Sequence, residues 1–292
     1  MISALKYSPP VAKLARYWYD WRTRHVEQWI FVATTGRSGT LTLVDLFAQV
    51  PDCVALHEPY PAMHGEILHS ASYGDKARVT RFYNTRKAVN IRRSAVGARS
   101  YLEANHLFIK SFAEQAAGDF RQRTRVIHLV RNPDGVAHSI YQLEDEPGTV
   151  AGNRWWLDYR APSNLISLAD ALERHPEYSH PYFKGLWYWF EVEARIQHWR
   201  EQWPGIPMVT FHTEDFSSLQ AVGDLFSSLD INLEDTRLES MINVRRHERA
   251  HQKRRAPLAL SERQAMQQAF RCLLEERGFH LPGSYQRYAH PN

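Results

Sequence analysis

The chain has 292 residues, of which 43% are hydrophobic, and a formal net charge of +4. This length and composition predict one domain over residues 1–292 that can bury a full core. The pI near 9.0 favours anionic ligands without requiring a polyanion. The two cysteines, Cys53 and Cys272, are too few for a disulfide framework or a cysteine metal cluster.

The first 27 residues contain no apolar stretch long enough for a signal peptide or a membrane span, so we expect a cytoplasmic protein. Apolar residues in this segment, such as Leu14, Trp18 and Trp21, recur with roughly helical spacing beside basic residues. This pattern predicts an amphipathic helix. We expect it to pack on the domain, with lipid contact as the alternative.

Short apolar runs alternate with helical patterns along the rest of the chain. The predicted strands are residues 29–34, 53–58, 107–111, 125–131 and 207–212, and the predicted helices are residues 40–49, 133–143, 182–202, 219–229 and 261–277. This alternation predicts an α/β fold with a central, mostly parallel sheet flanked by helices. We expect a core over about residues 28–232 and a helical, basic C-terminal segment over residues 233–292. Ligands of such sheets bind at the carboxyl ends of the strands.

The stretch TTGRSGT, residues 34–40, connects the first predicted strand to the first predicted helix of this sheet. Gly36 and Gly39 let the backbone bend, while Arg37 adds a positive charge beside the amides that open the helix. This loop suits a phosphate or sulfate group, although a tight turn without a ligand is the alternative. It has neither the glycine spacing nor the lysine of the Walker A pattern, which disfavours an ordinary nucleotide P-loop.

A second anion-binding candidate lies in residues 126–141, where an apolar run ends at Arg131 and a helix begins at Pro133. Arg131 is expected at the crevice at the end of its strand, and Ser139 lies about two turns into the helix. The two side chains are suited to hold a second anionic group. A salt-bridge network around Arg131 is the alternative.

Together, TGRSGT and RNPDGVAHS resemble the two donor-binding motifs of the sulfotransferase family, which uses 3′-phosphoadenosine 5′-phosphosulfate (PAPS). The resemblance implies a P-loop-related α/β fold, transfer of a sulfuryl group to a hydroxyl or amine, and no metal. It assigns the 3′-phosphate to Arg131 and Ser139. It assigns the 5′-phosphosulfate to Arg37, Ser38, Gly39, Thr40 and Thr42, and to Leu41 through its backbone only.

Residues 51–59 end in a Glu-Pro pair that is similar to carbohydrate-type and bacterial sulfotransferases, and residues 211–216 resemble another family element. The resemblance makes Glu58 the candidate general base; the alternative is that Glu58 pairs with Arg37 or a helix terminus. The base of cytosolic members is a histidine in a Lys-Thr-His segment, and residues 108–112 carry phenylalanine at the corresponding place. Lys110 of that segment is a candidate contact of the transferring group, or else a solvated tether.

The acceptor is less defined by the sequence. Trp155, Trp156 and Tyr159 are candidates for stacking on a sugar ring, with core packing as the alternative, and residues 187–190 fit a core helix. The basic segments 76–99 and 245–255 suit either solvated faces or anion-facing lids. We predict a sulfotransferase whose acceptor hydroxyl belongs to a carbohydrate or glycolipid.

Two other classes fit the sequence less well. A P-loop kinase acting on a nucleoside or small molecule needs a phosphate-binding lysine and Mg²⁺ ligands, which the first loop lacks. A nucleic-acid-binding protein leaves the paired anion motifs unexplained. We therefore expect neither a metal nor a nucleic-acid partner.

Overall fold

The computed structural model describes residues 8–242 and 254–289, and its centre is a five-stranded sheet in the order β2-β3-β1-β4-β5. The strands are β1 Gln28–Ala33, β2 Cys53–His57, β3 Ser100–Ala104, β4 Thr124–Val130 and β5 Met208–His212. All four neighbouring pairs are parallel. The predicted α/β fold with a mostly parallel sheet is therefore confirmed.

The prediction of a strand over residues 107–111 is wrong. Phe108–Phe112 forms a π-helical turn, and the strand that pairs with β1 lies earlier, at Ser100–Ala104. The cause is Glu103, a fully buried residue that interrupts the apolar run of this strand. Its carboxylate lies 2.6 Å from the buried ammonium of Lys87, and this ion pair offsets the cost of burying each charge.

Helices cover both faces of the sheet. They are α1 Pro9–Arg22, α2 Thr40–Phe47, α3 Glu66–Ser72, α4 Lys76–Phe82, α5 Ala88–Ser94, α6 Ala113–Phe120, α7 Pro133–Leu143, α8 Ala169–Arg174, α9 Pro181–Gln202, α10 Leu219–Ser227, α11 Asp235–Ile242 and α12 Leu260–Glu276. The predicted helices at residues 40–49, 133–143, 182–202, 219–229 and 261–277 are confirmed within a few residues at each end. Within the described ranges, no helix has both the length and the apolar composition needed to cross a bilayer.

The larger core lies between the sheet and helices α7 and α9. The aromatic run from Trp187 to Phe190 is buried there, as predicted. Gly185 lets α9 approach α7 closely, because a Cβ atom at this position would lie 2.8 Å from the Cα of Ala137. The other face of the sheet is covered by α2, α10 and α11, with contacts such as the Phe47 ring 4.9 Å from Phe226.

The sheet register brings four chain segments to one edge. Ala104 of β3 lies opposite Val32 of β1 and His57 of β2, and Ala33 of β1 lies opposite His128 of β4. Because all strands are parallel, the segments that follow β1, β2, β3 and β4 leave at the same edge. Both predicted anion motifs are among these segments.

Candidate active site

The turn between β1 and α2 has a left-handed backbone at three of its residues. The φ angles are +83° at Gly36, +57° at Arg37 and +76° at Gly39. A Cβ atom at Gly36 would lie 3.1 Å from the Trp156 ring, and one at Gly39 would lie 3.0 Å from the Phe216 ring. The turn thus requires glycine for both conformation and space, and α2 begins with no side-chain cap on its first amides.

The hydroxyl of Ser38 does not face the solvent. Ser38 is fully buried, and its Oγ is hydrogen-bonded to the Oγ1 of Thr34. Its carbonyl oxygen lies 2.9 Å from the Oγ1 of Thr213, which is also 3.0 Å from the carbonyl oxygen of Val130. Thr213, from the segment after β5, therefore holds the first loop against the end of β4.

The two predicted anion motifs are in direct contact with each other. The Nη1 of Arg131 donates to the carbonyl oxygen of Arg37 at 2.6 Å, and the Nε of Arg37 donates to the Oγ of Ser139 at 2.9 Å. Asn132 caps α7 by accepting from the amide of Gly135. Burial lowers the pKa of Arg131 from its usual value, against the opposing charges of Glu214 and Asp134.

Arg131 forms no ion pair with a carboxylate of residues 8–242 or 254–289. Its predicted alternative role in a salt-bridge network is therefore not seen in this part of the chain. Instead it holds a partly buried positive charge at the end of β4. Such a charge is available to an anionic ligand.

A cavity of about 710 Å³ opens at this edge of the sheet. It is lined by Gly36, Arg37, Gly39, Thr40, Leu41, Thr42, His57, Glu58, His106, Arg131, Leu143, Asp145, Ala151, Trp155, Trp156 and Arg254. Most of the predicted site residues thus meet in one cavity. Three do not line it: Ser38 turns its side chain into the loop toward Thr34, Ser139 contacts Arg37 from α7, and Lys110 lies beneath His106.

Glu58 and His57 both line the cavity, although alternation along a strand would send them to opposite faces. The reason is the end of β2, where Glu58 has a φ angle of +44° and leaves the extended conformation. The Nε2 of His57 lies 3.0 Å from the Oγ1 of Thr40 and 3.9 Å from the Oε1 of Glu58. His57 thereby connects the first loop to the carboxylate.

His106 is the residue that sequence reasoning missed. It lies two residues after β3, and its Nε2 is 3.5 Å from the Oε1 of Glu58. Burial, followed by the charge of Lys110, holds the pKa of His106 well below its usual value, which favours the neutral imidazole. The strand before His106 was predicted in the wrong segment, at residues 107–111, so His106 was not recognised as a residue that follows a strand.

Lys110 is buried, and its Nζ has three close partners. These are the Nδ1 of His106 at 2.7 Å, the hydroxyl of Tyr188 at 2.8 Å and the carbonyl oxygen of Trp155 at 2.9 Å. Burial lowers the pKa of Lys110, while the charge of Glu58 opposes this shift. Lys110 is therefore not a solvated tether, and it contacts the cavity wall from behind, through His106 and the carbonyl oxygen of Trp155.

The aromatic residues considered as sugar-stacking candidates separate into two groups. Trp155 and Trp156 line the cavity, and the Trp156 ring lies 5.1 Å from the His106 ring. Tyr159 is 2% exposed and belongs to the core. One wall of the cavity is thus an aromatic surface beside Glu58 and His106.

The two basic segments, residues 76–99 and 245–255, differ in their relation to the cavity. In residues 76–99, Lys87 and Arg92 are buried and structural, and Arg92 lies 3.2 Å from Asp119. The other basic residues of this segment are exposed: Lys76, Arg78, Arg81, Arg86, Arg93 and Arg99. Of the second segment, residues 245–253 lie outside the described residues. Arg254 lines the cavity, and Arg255 pairs with Glu146 at 3.0 Å.

Other ionisable groups complete the charge of the cavity. Asp145 lines it, and burial raises the pKa of this carboxyl while the charge of Arg37 opposes the shift. Arg37, Arg131 and Arg254 outnumber the carboxylates of Glu58 and Asp145. In the part of the chain that the structure describes, no three His, Cys, Asp or Glu residues are grouped to hold a metal ion.

A family model described as a sulfotransferase domain matches residues 27–202. Among solved structures, the chain is similar to the sulfotransferase domain of the curacin biosynthetic pathway, with 13% identity, a TM-score of 0.49, and coverage of 87% of this chain and 99% of that one. A sulfotransferase of Alicyclobacillus acidocaldarius shares 16% identity with a TM-score of 0.46, over 88% of this chain and 98% of that one. No curated protein matches the sequence significantly.

Proposed function

The chain belongs to the sulfotransferase family, and from this premise we propose that it transfers a sulfuryl group from PAPS to a hydroxyl of a carbohydrate or glycolipid. One observation carries the proposal: two anion motifs from neighbouring strands contact each other at a single cavity. The carboxylate and imidazole of Glu58 and His106 lie in the same cavity. We also propose a cytoplasmic location.

The proposed donor site uses the first loop and the start of α7. The amides of Ser38, Gly39, Thr40 and Leu41, the hydroxyls of Thr40 and Thr42, and the guanidinium of Arg37 would hold the 5′-phosphosulfate, while Arg131 and Ser139 would hold the 3′-phosphate. The left-handed glycines and the uncapped start of α2 support this assignment, because both leave amides for an anion. The bound donor would supply the transferable sulfuryl group.

We propose that Glu58 accepts the proton of the attacking hydroxyl. Sulfuryl transfer requires in-line alignment and positive charge more than covalent participation by the protein, so one base and the surrounding arginines suffice. Glu58 lies in the cavity with its Oε1 near the Nε2 atoms of His106 and His57. Both imidazoles would orient the carboxylate toward an acceptor.

Lys110 is proposed as a positioning residue that sets the tautomer of His106. The hydroxyl of Tyr188 donates to the carbonyl oxygen of Thr35 at 2.5 Å, so its oxygen accepts from Lys110. The carbonyl of Trp155 also accepts, and the third ammonium hydrogen then points at the Nδ1 of His106. With Nδ1 accepting, the imidazole hydrogen resides on Nε2, which faces Glu58.

The acceptor proposal rests on the wall formed by Trp155 and Trp156. Aromatic rings beside a few polar groups are typical of sites that bind sugar rings. Trp156 is nearly buried, while Trp155 is half-buried and offers more of its surface to a ligand. Glu58 and Asp145, in the same cavity, are available to accept hydrogen bonds from acceptor hydroxyls.

The test is calorimetric titration with 3′-phosphoadenosine 5′-phosphate in EDTA. We expect metal-independent binding that Arg131→Ala and Arg37→Ala each weaken by about 10–100-fold, the loss expected for a charged hydrogen bond in a partly buried site. Arg174→Ala, at an exposed arginine outside the cavity, is the matched control. Absence of binding, together with Mg²⁺-dependent binding of ATP, would overturn the proposal in favour of a kinase.

A further inference from the structure

Helix α1 is fixed to the domain along one side. The guanidinium of Arg16 donates to Asn84 at 2.6 Å and to Asp119 at 2.7 Å. Asp20 is hydrogen-bonded to Arg92, which is only 3% exposed, and Ala12 is buried. The orientation of the helix on the domain is therefore set by ion pairs with the buried Arg92 and the partly buried Asp119.

The opposite side of α1 is apolar and exposed. Five of the ten large hydrophobic residues exposed in the described ranges lie on this one helix: Val11 (41%), Leu14 (72%), Tyr17 (63%), Trp18 (54%) and Trp21 (53%). Their spacing of three and four residues places them on one face. The rings of Trp18 and Trp21 lie 5.5 Å apart, which makes a continuous aromatic surface.

Exposed cations border this apolar face. Lys13, Arg22 and Arg24 are exposed, with the guanidinium of Arg22 5.9 Å from the Trp18 ring centre and that of Arg24 5.3 Å from the Trp21 ring centre. Beyond the helix end, Arg24 lines a hollow with exposed Arg121 and Arg123, in which the carboxylates of Asp20 and Asp119 are paired with Arg92 and Arg16. The apolar face is thus flanked by positive charge that continues onto the neighbouring surface.

We propose that this face of α1 docks the protein onto the surface of an anionic lipid bilayer. Tryptophan and tyrosine favour the boundary between acyl chains and headgroups, and arginine beside them can reach lipid phosphates. An exposed apolar helix face with cationic borders is the pattern of helices that lie in the plane of the interface. The prediction that α1 packs on the domain is confirmed for one side of the helix only.

A second copy of the chain is a poorer occupant of this face. A symmetric interface brings the same patch of each copy together. Lys13, Arg22 and Arg24 of one copy would then face the same cations of the other, with Asp20 already engaged by Arg92. A bilayer instead offers phosphates to these cations, so charge complementarity favours lipid.

The experiment is co-sedimentation of the full chain with vesicles of phosphatidylcholine, with and without phosphatidylserine. We expect binding to the anionic vesicles, weakened roughly tenfold or more in Trp18→Gln/Trp21→Gln because the apolar contact is lost. Arg22→Gln and Arg24→Gln should each weaken binding by about fivefold, as expected for one cation at such a surface. Higher salt should weaken binding of the native chain.

Matched controls come from elsewhere on the surface. Leu260→Gln pairs with Leu14→Gln, since both leucines are exposed on helices, and Arg174→Gln pairs with the arginine variants. The proposal requires that the controls bind like the native chain and that all variants keep native circular dichroism. It is overturned if the native chain does not bind anionic vesicles, if Leu14→Gln binds as well as Leu260→Gln, or if α1 variants only dissociate a dimer. Donor titration of the same variants is independent of these outcomes.

Discussion

The two walls of the cavity are built by different means. The wall around Gly36 and Gly39 is made of backbone, since its shape comes from left-handed residues and the start of a helix. The wall around Glu58 and His106 is made of side chains whose positions depend on buried partners such as Lys110. A wall of backbone is specified by a short stretch of sequence, whereas a wall of side chains is specified by contacts across the whole fold.

The largest expected effect is on kcat, and it distinguishes the wall that carries the proposed base from the wall proposed to bind the donor. Glu58→Gln keeps the size of the side chain but removes its basicity, so we expect kcat to fall by about 10²–10⁴-fold. Donor affinity, which depends on the other wall, should stay near its native value. Steady-state kinetics of sulfuryl transfer and donor titration measure the two quantities, with Glu239→Gln, at an exposed residue, as control. Near-native turnover of Glu58→Gln would exclude this residue as the base.

The next effect is on the free energy of unfolding, and it tests whether the buried Lys87–Glu103 ion pair supports the wall around His106. Lys87→Met leaves the buried carboxylate of Glu103 without its cation, so the free energy of unfolding should fall by about 3–5 kcal/mol in urea denaturation. Glu103 also accepts from the Nδ2 of Asn105, the residue before His106. The double variant Lys87→Met/Glu103→Leu should regain much of the loss, because it removes both charges.

Arg99→Met provides a comparison within the same chain. Arg99 pairs with Glu27 at 2.8 Å, and both side chains are more than half exposed. Solvent weakens such a pair, so we expect almost no change in stability. Equal losses in Arg99→Met and Lys87→Met would contradict the importance given to burial.

A smaller effect than that of Glu58→Gln concerns the pH dependence of turnover. In Lys110→Met the nearby ammonium charge is lost, while the burial of His106 remains. Since that charge lowers the pKa of His106, its removal raises the pKa, and the acid limb of kcat should move to higher pH. We also expect kcat to fall by about tenfold at its optimum, as for one buried hydrogen bond. A lower kcat with an unmoved acid limb would show that Lys110 acts only through packing.

The local sequence was sufficient to predict the backbone structure of the wall around Gly36 and Gly39. A turn containing Gly36 and Gly39 after an apolar run has few alternative conformations, and Arg131 before Pro133 marks the end of a strand. These local signals correctly predicted β1, α2, β4 and α7. The contact between Arg37 and Ser139 needed the order of the strands, which local patterns do not specify.

The wall formed by Glu58 and His106 could not be predicted from local sequence patterns in the same way. Sequence periodicity treats an acidic residue as exposed, so Glu103 argued against a strand at β3. The strand was predicted instead at residues 107–111, which begin with the apolar run Leu107–Ile109. Because β3 was not predicted, His106 was not identified as a residue of the site. Pairing of Glu103 with Lys87 links positions 16 residues apart through tertiary structure, and a single sequence carries no direct sign of it.

The contact between the two anion motifs also bears on how a reaction cycle would end. If the proposed donor site is correct, Arg37 and Arg131, which are joined through the carbonyl oxygen of Arg37, would hold a ligand with two anionic groups at both ends at once. Such chelation strengthens binding because the second contact forms at a high effective concentration. If PAPS is the donor, the desulfated nucleotide keeps both of its phosphates and would therefore keep its contacts with both Arg37 and Arg131. We expect the desulfated nucleotide to bind tightly enough that its accumulation inhibits the enzyme.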